Sequence, residues 1–400
     1  MYLLLFIIIV VELISYASKN HKNPQDMYVT DSYKLAYTSE HTLLKLTGNP
    51  MKPEWLEFLK NAGAEIEDNK VVSFGNVNRE QRIIHSGLVL CDLSHQGLIS
   101  VDGEDATDFL QGQLTNDVRD VSEQHSQLSA YCTHKGRMLA NFRIFKRENS
   151  FYLRLPLSLL EPTLKRISMF ILMSKVSIKN SSNALVRFGL SGPTADEHLS
   201  SLISELPKEV DDTIQIDGYT VIKCPGLQAR YEIYGELTPM QKLWSNLDVH
   251  AAPVGAAAWE MLDIQAGIPT IYPETTESFV PHMANMQAIN GVSFQKGCYT
   301  GQEVVARMQY LGKLKRRMFR INVDTDDIVK SGDKLFNANS SSAQGAGQIV
   351  SAQQDPDGGY SALAVINIPD TESGQLQLHD ENGPSITVSD LPYTIKEKSE

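Results

Sequence analysis

Eight consecutive residues, Lys296-Gly297-Cys298-Tyr299-Thr300-Gly301-Gln302-Glu303, bring together a thiol, an amine, a carboxylate, a carboxamide and two glycines. The nucleophile among them is Cys298. A thiol attacks as its thiolate, and a nearby cation or a helix N-terminus favours that form. Lys296 supplies a cation two residues upstream, and Val304-Val305-Ala306-Arg307-Met308 reads as a short helix. The free N–H groups of its first turn would face the bend that holds the thiol. The glycines allow backbone angles or close approaches that a side chain would block. Upstream, Asn290-Gly291-Val292-Ser293-Phe294 reads as a turn followed by a strand. No histidine lies nearby in sequence to serve as a base, so a plain structural cysteine that shapes the bend stays open as the alternative. Glu303 and Arg307 have the i, i+4 spacing of a surface ion pair worth about 0.3–0.5 kcal/mol.

The elements that must hold this stretch are legible from hydrophobic spacing. Pro53 to Lys60 reads as an amphipathic helix opening on a proline and ended by Gly63, and Val71 to Gly75 as a strand. Gly97 to Val101 is a strand that stops at Asp102-Gly103. After it, Ala106, Phe109, Leu110 and Leu114 share one helical face, with Asp102 as candidate cap. Leu128–Thr133, Met138–Phe145 and Phe151–Leu155 read as a meander, and Arg137 and Arg143 alternate with apolar neighbours in the manner of a solvated face. A helix is expected over Leu157 to Met173, then two strands and a helix near Pro193. Ala256 to Ala266 is a strong helix closed by Gly267 and Pro269. Its Trp259 is either a core side chain or an aromatic wall for a planar ligand.

Lys313-Leu314-Lys315-Arg316-Arg317-Met318-Phe319-Arg320 is either a basic strand or a local patch for phosphate or carboxylate. From Phe319 to Tyr393 short apolar runs alternate with turn clusters, which suggests a small antiparallel barrel. The recurrence of strands, helix and strands argues for α+β layers, and no Walker or G-x-G-x-x-G pattern is present.

Composition bounds the function. A chain of 400 residues with 42% hydrophobic and 21% charged residues is ordinary for a globular protein of two or three packed units. A net charge of −12 repels free nucleic acid, so any RNA contact needs a local basic patch. Cys91, Cys132, Cys224 and Cys298 form no C-x-x-C pair, which excludes a zinc pattern and points to a reducing, cytoplasmic setting. Tyr2 through Val11 are all apolar, but Glu12 interrupts the run short of the ~20 residues a spanning helix needs. The favoured reading is a start at Met27 or Met51, with a weak anchor or a signal peptide as alternatives, and no stable membrane association is expected. Ser18 to Glu40 is polar and aperiodic and reads as loosely attached. The resulting division is an extension over 1–40, a body over 41–312 and a barrel over 313–400.

The octapeptide resembles the K-G-C-Y-x-G-Q-E signature of the YgfZ family, with support from Gln111–Val118 and the helix around Trp259. That resemblance implies an aminomethyltransferase-like folate-binding body followed by a C-terminal β-barrel. It implies tetrahydrofolate or a derivative as cofactor and an accessory role for iron–sulfur enzymes such as a tRNA methylthiotransferase, with tRNA served indirectly. The signature positions carried over are Lys296, Gly297, Cys298, Tyr299, Gly301, Gln302 and Glu303, with Cys298 the candidate reactive thiol. One signature cysteine is too few to hold a cluster within a monomer.

By the same resemblance Trp259 is one of two tryptophans set against folate, where a flat pterin stacks on an indole for about 0.5–1.5 kcal/mol beyond area burial. The second tryptophan's place is taken by Gln96. In the related glycine-cleavage T-proteins an aspartate pair follows a glycine turn. Here that stretch is Gly136-Arg137-Met138-Leu139-Ala140-Asn141-Phe142, and neither Ala140 nor Asn141 can accept a proton as a carboxylate does. This argues against aminomethyl transfer. A one-carbon transferase working through another site, and a folate-binding scaffold without chemistry, remain the competing readings.

Overall fold

The computed structural model describes residues 51–310, 312, 314–340, 345–372 and 375–395. The readings for the apolar start, for Met27 and for the polar 18–40 stretch lie outside the described residues. Alternating hydrophobicity in the middle of the chain produces antiparallel sheet. Gln127–Cys132, Met138–Arg147 and Ser150–Pro156 pair in succession, and Gln96–Asp102 and Ser177–Asn180 complete a five-stranded sheet. The short helix α1 (Ala106–Gln111) buries Ala106, Phe109 and Leu110 against it. Asp105, not Asp102, stands at its N-cap position; Asp102 instead accepts from the Ser150 hydroxyl. The helix α2 (Leu157–Ser168) crosses the same sheet on Leu159, Leu160 and Ile167. It ends five residues before the expected Met173, because Leu172 (86% exposed) and Met173 (95%) have no surface to pack on.

A second, six-stranded sheet runs in the order Thr213–Ile216, Tyr219–Lys223, Arg230–Gly235, Val186–Ser191, Val89–Asp92, Ala252–Val254, with only the last pair parallel. One face is closed by Trp55 and Trp244, whose rings meet edge-on at 5.6 Å, and Trp55 Nε1 donates to buried Asp92 at 2.8 Å. The helix α3 (Ala256–Gln265) follows the Ala252–Val254 strand directly.

The two sheets meet through Leu98, Phe145, Cys224 and Tyr234, and this contact overturns the expectation for Arg143. Its strand has the second sheet, not water, against its other face. Arg143 is 2% exposed and donates to Asp211 at 2.6 Å.

C-terminal to the helix α4 (Gln302–Tyr310), six antiparallel strands run in the order Gln377–Leu378, Lys334–Phe336, Gly347–Gln354, Tyr360–Asn367, Arg316–Val323, Ile386–Ser389. The sheet curls into a half-barrel until its edges touch, with Leu378 N donating to Pro384 O and Ile386 N to Leu376 O, both at 2.9 Å. Met318, Val350, Leu363 and Val365 from this sheet join the core of the five-stranded sheet. Among the described residues no helix is long and apolar enough to cross a membrane.

Candidate functional site

The signature loop is built by contact with a stretch about 180 residues earlier. Ser293 N donates to Thr115 O at 3.0 Å, Thr115 Oγ1 to Gly291 O at 2.8 Å and Asn116 Nδ2 to Asn290 O at 2.6 Å. The expected strand at Val292–Phe294 is absent, because this segment has no neighbouring strand and is held by these single bonds.

Lys296 completes the join. Its Nζ donates to the carbonyls of Gln111 (2.8 Å), Leu114 (2.6 Å) and Asn116 (2.9 Å), matching the three donors of an ammonium to three acceptors. Burial holds its pKa down at about 8, with Asp117 pulling up and Arg119 adding to the depression. The amine also sits 5.0 Å from the Tyr299 ring centroid. The cation expected to serve the thiol is thus turned into the 111–116 carbonyls. That loop is itself braced: Gln111 Nε2 donates to Asp117 Oδ1 at 2.9 Å and accepts from Val118 N at 2.8 Å through Oε1. The Arg119 guanidinium grips Asp117 and lowers its carboxyl to about 2.

Within the octapeptide the residues divide into buried and displayed. Tyr299 is buried, and burial raises its hydroxyl pKa. Gly301 has φ +86°, and a Cβ there would lie 2.4 Å from Thr133 O; it packs back to back with Gly136, whose φ is +67°. Gly297 is exposed, with open space where a Cβ would stand. Cys298 is exposed, whereas Cys91, Cys132 and Cys224 are buried, and burial pushes the latter two thiols up to about 12. Gln302 opens α4, and Gln302 N donates to Tyr299 O at 3.1 Å. Glu303 and Arg307 are both exposed on it, and among the described residues no ion pair joins them.

The second expected site lies on α3. Trp259 is 0% exposed and packs within Ile84, Val89, Cys91, Leu93 and Leu262. The Arg230 guanidinium lies 4.1 Å from its ring centroid, and a Cβ on Gly189 would meet the ring at 2.2 Å. The indole is therefore closed in by the chain's own groups.

Around it lies a charged layer that sequence reading missed. Arg230 pairs with Asp263 at 2.8 Å and Arg154 with Glu232 at 3.3 Å, and the Tyr234 hydroxyl donates to Glu232 at 2.6 Å. At its edge both ring nitrogens of His95, Gln96 Oε1 and Trp259 Nε1 are buried without a hydrogen-bond partner among the described residues. Burial, with Lys70, Arg154 and Arg187 nearby, drives the His95 pKa well below its usual value, and Glu260 Oε1 stands 3.9 Å from its Nε2. Only the sheet-to-sheet contact reveals this layer, and alternation along a strand carries no signal for it. At the position of the absent acids, Ala140 is buried, and Asn141 binds backbone with both ends of its amide, donating to Pro269 O (2.8 Å) and accepting from Ile271 N (2.9 Å).

Residues 51–296 match the GCVT N-terminal domain family. The tRNA-modifying protein YgfZ of Colwellia psychrerythraea is 33% identical over 307 residues, covering 76% of this chain and 93% of that protein. The protein of the same name from Yersinia pestis is 31% identical over 310 residues, covering 78% and 94%. Among solved structures, the glycine cleavage system aminomethyltransferase T from Bartonella henselae superposes with a TM-score of 0.65 at 17% identity, over 84% of this chain and 96% of that one. At that identity the superposition shows an aminomethyltransferase-like fold and no more.

Proposed function

This chain belongs to the YgfZ family, and from that premise we propose that it is an accessory factor in tRNA modification whose working group is the Cys298 thiol. The observation that supports this reading is the contrast among the cysteines: three are buried, and the one in the signature is presented on a loop anchored by Lys296. The partners proposed are iron–sulfur enzymes, among them a tRNA methylthiotransferase. A chain of net charge −12 fits a role in which tRNA is reached through such a partner. The proposed setting is the cytoplasm, where four unpaired cysteines stay reduced.

The proposed cofactor is tetrahydrofolate or a derivative. The residues fit the polar edge of a pterin, since His95 and Gln96 hold buried donors and acceptors without partners. They do not fit a pterin stacked on Trp259, whose ring is covered by Arg230 and Gly189. When bound, a folate supplies one-carbon or redox chemistry. What this chain supplies is hydrogen bonding at His95 and Gln96 and the exclusion of water by the layer behind them. Aminomethyl transfer is left out of the reading, because Ala140 is apolar and Asn141 is engaged with backbone.

The test is the level of methylthiolated adenosine in tRNA from cells lacking the gene, supplied with wild type or Cys298→Ser. Wild type should restore the modification and the variant should not, while its stability stays within about 0.5 kcal/mol of wild type, as for other exposed positions. Equal restoration by both would assign the thiol no role.

A further inference from the structure

Outside this site, the basic run beginning near Lys313 places one of its members in a cavity. Arg316 lines a space of about 40 Å³ together with Arg137, Lys334, Ser278 and Gln348. The three cations arrive from three separate segments. Arg137 precedes the strand Met138–Arg147, Arg316 opens Arg316–Val323, and Lys334 opens Lys334–Phe336. Arg137 Nη1 donates to Ser278 O and Arg316 Nη2 to Gly345 O, each at 2.6 Å. Among the described residues Ser278 O is the one acceptor bonded to the Arg137 guanidinium, and neither Arg137 nor Lys334 is ion-paired with a carboxylate. Burial lowers the Arg316 pKa, Asp370 opposes that and Arg137 adds to it, so the two guanidiniums feel one another.

The geometry points to a binding site for the terminal phosphate of a phosphate monoester, held between Arg137, Arg316 and Lys334. Size and charge both select this group. A volume of about 40 Å³ is roughly that of a few water-sized probes. It admits one phosphoryl group and leaves any sugar or base outside. Arg137 and Lys334, two cations with no carboxylate partner among the described residues, match the two charges of a phosphate monoester, and guanidinium forks suit phosphate oxygens. Inorganic phosphate, a phosphorylated metabolite and a 5′-phosphorylated RNA end all carry this chemistry.

The full chain would be titrated calorimetrically, at constant ionic strength, with inorganic phosphate, AMP and adenosine, and with a short RNA bearing either a 5′-phosphate or a 5′-hydroxyl. Phosphate and AMP should bind and adenosine should not. Lys334→Gln, at an exposed strand position that leaves the core intact, should weaken phosphate binding about fivefold, the scale of one lost charge contact. Arg137→Gln should do the same or more. Tighter binding of the phosphorylated RNA than of AMP assigns the source to an RNA end, and equal binding assigns it to a small molecule. Phosphate binding that is absent in wild type, or unchanged in Lys334→Gln, overturns the site.

Discussion

The loop 296–303 and the helix Ala256–Gln265 each carry a residue that a sequence reader would set against a ligand, and the fold treats them oppositely. The loop turns its cation inward onto three carbonyls and its thiol outward. The helix turns its indole inward, onto Gly189 and under Arg230. A reactive-looking residue type is therefore no guide to display; display is decided by which neighbour anchors the segment. In the loop Lys296 is the anchor, which frees Cys298. In the helix Trp259 is itself the anchor.

The widest gap this contrast predicts is in thiol chemistry. Native protein exposed to an alkylating reagent should modify Cys298 on the order of 10³-fold faster than Cys91, Cys132 or Cys224, whose access requires opening of a structure worth at least about 5 kcal/mol. Mass spectrometry of peptides from a time course would measure it, and comparable rates at all four would dissolve the contrast. Next in size, Trp259→Ala should cost about 3–5 kcal/mol in urea denaturation, as for other emptied aromatic core sites. A variant of undiminished stability that loses a ligand would restore Trp259 as a wall.

Within the octapeptide, Gly301→Ala should cost about 2–4 kcal/mol, combining left-handed backbone strain with the clash at Thr133 O. Gly297→Ala should stay within about 0.5 kcal/mol. Equal effects would show that the two glycines are not divided as described. The smallest effect concerns acid. Asp117 has a depressed pKa, so the stability it contributes is complete above 3.8 and drains away as the pH falls toward about 2. Asp117→Asn should flatten that part of the pH–stability curve, and an unaltered curve would mean that Arg119 braces nothing.

Much of the frame was legible because periodicity reports which face of an element is apolar. The three strands of the meander, α3 and the curled C-terminal sheet all follow from spacing. What periodicity omits is the identity of the covering layer. Arg143 alternates like a surface residue, yet the opposing cover is a second sheet with Asp211 in place. Val292 to Phe294 has strand composition, but a strand needs a partner, and Thr115 offers only isolated bonds. The helix α2 stops at Ser168, short of Met173, because Met169, Phe170, Leu172 and Met173 are apolar but exposed, and of this stretch Ile171 packs against the core. At the candidate site, Cys298 was legible by type and setting. The redirected Lys296 was not, since its acceptors lie 180 to 185 residues away.

That distance has a kinetic consequence. Contacts between segments so far apart in the chain bear a large loop-closure entropy and form after local hairpins have settled. The Lys296 clamp cannot close until the carbonyls of Gln111, Leu114 and Asn116 have taken their places, so the geometry around Cys298 is among the last features to mature. A nascent or damaged molecule would carry the same cysteine on an unanchored strap. The arrangement makes the thiol's setting a readout of finished folding, and any partner that recognises the loop's shape would engage only completed copies of the chain.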